Sequence, residues 1–514
     1  MKHKTACILP LLLTVLLLSG CVADHPTLSA SQTAQTVQTT ISTTAVTATT
    51  TATTAPPPAP EPLWDGDAEA VRAILLNEGT DTVYESTDVL DAFTLQQRYY
   101  ARANGDEVLM ARAQSRGGQW CLKEWSFASD GLICWYDRAA ACWKQLPLEE
   151  GIYNASMIEL ALDDSTSCLL YTPKTYTVRE NESLEYLPAY DGYLELLQTG
   201  DGWTARIHGC APQENCVSDY MLLRASEPLL DWSHRNCGLL WKEYMLDTQS
   251  RWCFDGYYFP TPHNYVPTGE NYFYRCPAGY FIKSMAYMSQ IHRAAEDLAI
   301  TMLDTMAMHQ NADGFWATMP ASEWLQEDFG IAGGFYDTRF NTELAELYLK
   351  VYTDYGGDRF GQALDAYVSY FTDYARSHHF ETANGGWLVQ DYAHPDGNDP
   401  THASLNHHIA ECILLYRLAQ ALARPELAEL ADHMLLGIAD TQDDWIRDDG
   451  DLHYAYMPDA SFGVQDYPYL TYNDLLHLQQ ELTSMGRQPS QALAVLMDAK
   501  RAWMDQNGIT AYER

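Results

Sequence analysis

The chain has 514 residues, 46% hydrophobic and 19% charged, and a formal charge of −38 at pH 7. That length suits two or three domains of roughly 100 to 200 residues each. A surface so negative repels nucleic acid and anionic lipid head groups and argues against a highly sulfated polyanion as ligand. Twelve cysteines occur without paired CxxC spacing, which argues against a structural zinc site.

The N-terminus carries Lys2 and Lys4, an apolar run from Ile8 to Leu18, and then Leu18-Ser19-Gly20-Cys21. A positive start, a short apolar stretch and small residues before a cut describe a secretory signal over 1–20, not a spanning helix. The closing tetrapeptide resembles the bacterial lipobox. The resemblance implies lipidation of Cys21, by palmitate or a similar chain, and a protein held on the outer face of the cell membrane with extracellular domains. Ordinary signal cleavage, with Cys21 a bystander thiol, is the other reading. Loss of Lys2 and Lys4 takes the formal charge to −40. No later stretch approaches the ~18 consecutive apolar residues a membrane-crossing helix needs.

Residues 21–62 are rich in Thr, Ala, Ser and Gln and close on Pro56-Pro57-Pro58-Ala59-Pro60-Glu61-Pro62, the composition of a disordered, proline-stiffened linker. From 63 to 175 the pattern predicts a short helix over Ala68–Asn77. Alternating segments follow at Thr94–Ala101, Glu107–Ala113, Gln119–Trp125, Gly131–Tyr136 and Ala141–Leu146, an antiparallel meander separated by Gly and Asp turns. This strand-turn rhythm resembles LolA-like lipoprotein sheets. Over 176–225, Val178-Arg179, the turn Gly200-Asp201-Gly202-Trp203 and the strand Val217–Leu223 resemble a bacterial SH3-like module; two further hairpins of the preceding sheet are the alternative. Cys210 and Cys216 close a loop short enough to be bridged, with connectivity left open.

From 226 to 514 the period changes. Helical repeats are predicted at Tyr280–Met308, Thr338–Thr353, Gly361–His378, Ala403–Ala423, Pro425–Thr441, Thr471–Thr483 and Ser490–Asp505, joined by long aromatic loops. The chain as a whole therefore reads as multidomain α+β, N-terminal antiparallel β modules followed by an incomplete α/α toroid.

Two constellations stand in those loops. The first is Gly385-Gly386-Trp387-Leu388-Val389-Gln390-Asp391-Tyr392, followed by Ser404-Leu405-Asn406-His407-His408 and Leu415-Tyr416. The second is Asp451-Leu452-His453-Tyr454-Ala455-Tyr456, followed by Asp466-Tyr467-Pro468 and Tyr472-Asn473-Asp474. In order and spacing they resemble the C-terminal toroid domain of D-glucuronyl C5-epimerases over the last ~240 residues. The resemblance implies an isomerase that moves a proton at C5 of a uronate unit in a polysaccharide, with Asp391, Tyr392, Tyr454 and Tyr467 as catalytic residues. Buried carboxylates and phenols suit such work when their surroundings bring their pKa values toward working pH. Substrate contacts are expected from Arg339, Trp387, Asn406, His407 and Tyr472. No cofactor and no metal are implied, and the partners are a polysaccharide or cell-wall glycan and, through Cys21, the membrane, with no nucleic acid.

The departures from the family are specific. Asp391 replaces a glutamate, Leu452-His453-Tyr454-Ala455 lacks the arginine of the family's loop, and Pro468 replaces a histidine. Without that arginine a natural partner for a substrate carboxylate is gone, and Arg339 is the expected substitute. A lyase or hydrolase reaction, or a glycan- or cell-wall-binding lipoprotein without chemistry, fits the same groove. His407 with Glu411, at i and i+4, reads as a structural pair, since no third metal ligand follows at recognisable spacing. The acidic run Asp443, Asp444, Asp448, Asp449 and Asp451 does not match a calcium loop.

Overall fold

The computed structural model describes residues 63–510, except 65, 67, 68, 201 and 247–250. The expected signal, the lipidated Cys21 and the linker lie outside the described residues. Antiparallel strands come first in the chain, and helices dominate after Tyr280.

Strand pairing runs through the boundaries that composition suggested. One 15-stranded sheet includes strands from Ala70–Leu76 to Tyr272–Arg275. The long strand Gly202–Ala225 lies between Glu107–Phe127 and Ser167–Val178, paired from Trp203↔Phe127 to Arg224↔Glu107 on one side. The segment 176–225 therefore does not close on itself as an SH3-like barrel: its longest strand pairs with Tyr193–Thr199 within the segment but also with Glu107–Phe127 and Ser167–Val178. Strands Arg251–Cys253, Gly256–Pro260 and Tyr272–Arg275 join the same sheet, so pairing also crosses residue 226. Glu107–Phe127 is a single strand where two were expected. Gly117 and Gly118, at φ of 92° and 118°, let it bend where the register with Gly202–Ala225 shifts.

The expected helix at Ala68–Asn77 is instead the strand Ala70–Leu76. It folds back on Gly79–Val89 in register Leu76↔Gly79, and Ile74 is fully buried. Tertiary pairing here outweighs a helix-forming composition. All ten described cysteines are free thiols, including Cys210 and Cys216, which lie opposite Gln119 and Thr177.

Ten α-helices occur among the described residues: α1 (Cys237–Leu246), α2 (Tyr280–Met288), α3 (Arg293–Ala307), α4 (Glu323–Phe329), α5 (Thr338–Tyr355), α6 (Asp358–Ser377), α7 (Leu405–Ala421), α8 (Pro425–Asp440), α9 (Leu470–Ser484) and α10 (Gln491–Gln506). The run expected as one helix over Tyr280–Met308 is interrupted between α2 and α3. There the Asp231 amide donates to His292 Nδ1 and the Ala294 amide donates to the Leu229 carbonyl. Helices α5–α6, α7–α8 and α9–α10 pack as consecutive hairpins, and α5, α7 and α9 pack side by side. Helix α7 is buried nearly throughout, whereas α6, α8 and α10 bury one face, so α5, α7 and α9 form an inner row and the others cover it.

The sheet docks on α3 through charge. In Phe93–Ala101, Leu95 and Tyr99 face the sheet's own apolar core, while Arg98 and Tyr100 point to the other side. Tyr100 Oη donates to Asp304 at 2.8 Å, Arg72 pairs with Asp304 at 2.8 Å, and Arg102 pairs with Asp297 at 2.5 Å.

Candidate active site

The inner helices α5, α7 and α9 start from short strands or turns that hold the aromatic loops. Tyr336–Asp337, just before α5, pairs with Tyr392–Ala393, and Ala403–Ser404, just before α7, pairs with the strand His453–Tyr456. Asp337 caps α5, its Oδ1 accepting from the Phe340 amide at 2.9 Å. These ribbons bring residues far apart in sequence to the helix starts, where the backbone N–H groups favour negative charge.

Asp391 lies at the centre, 1% exposed. Its Oδ1 accepts from the Ser404 amide at 2.8 Å. Its Oδ2 lies 3.1 Å from His402 Nε2 and 3.7 Å from His407 Nδ1. The His402 approach is close but not aligned as a hydrogen bond, which leaves Asp391 Oδ2 and His402 Nε2 both buried without a hydrogen-bonding partner. Burial works against the Asp391 charge, but His407, His402 and Ser404 outweigh it and hold the carboxyl below the usual range. His407 shares a hydrogen bond with Thr338 Oγ1 at 3.0 Å, and burial lowers its pKa to about 4, so it is neutral near pH 7.

Three tyrosines surround this carboxylate. The Tyr392 ring lies 5.7 Å from both His402 and His407, between Trp324 at 5.9 Å and Phe335 at 6.0 Å. Tyr454 is 5.7 Å from His402 and 5.6 Å from Tyr467. Burial pushes the phenols of Tyr392 and Tyr454 well above their ordinary pKa. Tyr467 is raised to about 12, by burial and then by the Asp466 charge, while Arg339 acts in the opposite direction. Tyr454, Tyr467 and Trp324 are only half-buried and form the accessible edge of an otherwise closed cluster. Asp391, Tyr392, Tyr454 and Tyr467 thus come together from separate loops.

The expected substrate contacts divide. His407 and Asn406 lie at the cluster, and Asn406 Oδ1 is a further buried atom without a hydrogen-bonding partner. Arg339 is engaged: it bonds Asp474 at 2.7 Å, Glu343 at 2.8 Å and the Asn406 carbonyl at 2.7 Å. It ties α5, α7 and α9 together and offers no free fork to a substrate carboxylate. Trp387 lies elsewhere, stacked between His379 at 4.3 Å and His433 at 5.0 Å. Tyr472 packs under Arg501 of α10, 5.9 Å from the guanidinium. A groove lined by Trp143, Trp232 and Arg235 opens on the sheet and contains none of the cluster residues.

Two residues of the cluster escaped the sequence reading. His402 precedes the Ala403–Ser404 strand and carries no motif of its own. Asp337 caps α5, yet its 3%-exposed carboxyl is also raised to about 8, by burial that the Phe340 amide offsets only in part. Glu411 is buried next to Thr338 with its carboxyl pushed well up, and His408 is held in place by Met434 O at 3.0 Å. Among the described residues no three His, Cys, Asp or Glu side chains are grouped as a metal site. One ionised carboxylate, protonated phenols and the neutral His407 imidazole make an arrangement able to take a proton and give one back.

No family model and no curated protein matches the chain. Solved structures similar to it include sugar epimerases and isomerases and family 76 glycoside hydrolases. A D-mannose isomerase is 13% identical over 45% of this chain and 61% of its own, with a TM-score of 0.34. A sugar epimerase from a ruminal bacterium is 12% identical over 45% and 60%, with a TM-score of 0.36. A family 76 glycoside hydrolase from a bovine Bacteroides thetaiotaomicron strain is 12% identical over 78% and 75%, with a TM-score of 0.35. The chain spans about three fifths of the length of the first two of these proteins.

Proposed function

We propose that this chain is a carbohydrate-active enzyme of D-glucuronyl C5-epimerase type, built on an incomplete α/α toroid and tied by acylated Cys21 to the outer face of a bacterial membrane. It transfers a proton at C5 of a uronate unit in a polysaccharide. The observation that carries this reading is the convergence of Asp391, Tyr392, Tyr454 and Tyr467 on one buried site. The order and spacing of the motifs around these residues support it.

A C5–H next to a carboxylate is acidic enough to be removed when the resulting enolate is stabilised. In the proposed step the Asp391 carboxylate takes that proton, and a phenol on the other face of the ring, Tyr467 or Tyr454, returns one to C5 and becomes a phenolate. Three helix starts and the remaining hydroxyls stabilise the enolate charge. The half-buried Trp324 beside Tyr392 offers an aromatic face to the sugar.

A second reading is favoured by Arg339. Because its guanidinium is held by Asp474 and Glu343, the site lacks that partner for a uronate carboxylate, as a non-catalytic glycan- or cell-wall-binding lipoprotein would. Incubation with uronate-containing and neutral polysaccharides separates the two. Altered configuration at C5 supports the enzyme, whereas binding with every glycan recovered unchanged supports the binding protein. Anchoring is tested by Cys21→Ala, which should release the protein from the membrane fraction; retention there argues against the lipid anchor.

A further inference from the structure

We infer that Asp337 is a second proton-carrying residue of this site, the acid partner of the base Asp391. The inference rests on the proton-transfer reading above.

Asp337 stands directly across a two-strand ribbon from Tyr392, so the two side chains leave the ribbon on the same face. Its carboxyl is buried and lies within electrostatic reach of the Tyr265, Tyr392, Tyr454 and Tyr467 hydroxyls. The charges facing it most strongly are those of Asp391 and, one helical turn along α5, Glu343; the buried Glu411 also feels it. Arg339, two residues on, is drawn toward Glu343 and Asp474. Asp391 accepts from a backbone N–H and has imidazole nitrogens of His402 and His407 at 3.1 and 3.7 Å, while Asp337 has the Phe340 amide, tyrosines and other carboxyls. Environments so different drive neighbouring carboxyls to opposite protonation states. Burial raising Asp337 to about 8 agrees with this.

The proton count closes. The sugar C–H bond breaks as Asp391 gains its proton. A tyrosine O–H breaks as the proton forms a new C–H bond on the opposite face. The Asp337 O–H then breaks to reprotonate the phenolate, leaving the Asp337 carboxylate. Exchange with water at the Tyr454 and Tyr467 edge restores both carboxyls.

The competing role is helix capping alone. Asn and Ser cap as well as Asp does, but neither carries a titrating carboxyl. In the full-length protein, Asp337→Asn and Asp337→Ser should keep the wild-type melting temperature and KM, and lose about 100-fold or more in kcat. The infrared difference spectrum between wild type and Asp337→Asn at pH 7 should contain a protonated-carboxyl stretch. Near-wild-type kcat in either variant, or absence of that band, overturns the inference. If wild type converts no glycan, the proton-transfer reading fails by itself, and the infrared band still decides whether Asp337 holds a proton.

Discussion

Lys500 Nζ lies 2.6 Å from Asp451 Oδ1, both side chains completely withdrawn from solvent. The same ammonium lies 2.8 Å from Asp466 and donates to the Tyr467 carbonyl at 2.6 Å. It therefore pins to α10 both the segment leading into Tyr454 and the loop carrying Tyr467. Lys500→Met leaves two buried carboxyls facing each other and should lose roughly 3–5 kcal/mol of stability, measured by denaturant unfolding. A loss under about 1 kcal/mol would show that this pairing does not hold the loops.

Tyr467→Phe removes one hydroxyl at the accessible edge and leaves the ring against Tyr454. Turnover should be abolished while glycan affinity and melting temperature stay close to wild type. Parallel loss of binding and folding would make Tyr467 a packing residue.

Arg339→Met should act on stability, not recognition. Its buried partner Asp474 and its partly exposed partner Glu343 would be left without their cation, at a cost of roughly 3–5 kcal/mol, visible as a lower unfolding midpoint. A selective rise in KM for uronate glycans, with the midpoint unchanged, would instead make Arg339 a carboxylate-binding residue.

Acid should destabilise the protein through its buried histidines. Burial lowers both His407 and His408 to about 4, from 6.5 in an unfolded chain. Their neutral forms support folding fully above pH 6.5, and that support is lost as pH falls toward 4 and below. The melting temperature should drop over that window, less steeply in His408→Gln. An identical slope in the variant would place the acid sensitivity elsewhere.

Apolar periodicity marked α5, α6, α8, α9 and α10 to within a few residues, because each buries one face against its neighbours. The Ala70–Leu76 strand was not legible, since its alternation is weak and its partner lies beyond the Asn77-Glu78 turn. Nor could a local pattern reveal that Gly202–Ala225 pairs with a strand about a hundred residues earlier. At the site, motif order singled out Asp391 and the three tyrosines, which the fold brings together. Asp337 and His402 were hidden because their chemistry comes from burial and from residues on other loops. The engagement of Arg339 was hidden for a related reason: Glu343 is visible at i+4, but Asp474 approaches only in three dimensions.

The most direct measurement is incubation of the protein with uronate polysaccharides in D₂O, following C5–H by NMR. Deuterium entering C5 in wild type, and not in Asp391→Asn, is the expected result. Full retention of C5–H across glycans that bind would contradict proton transfer at this site.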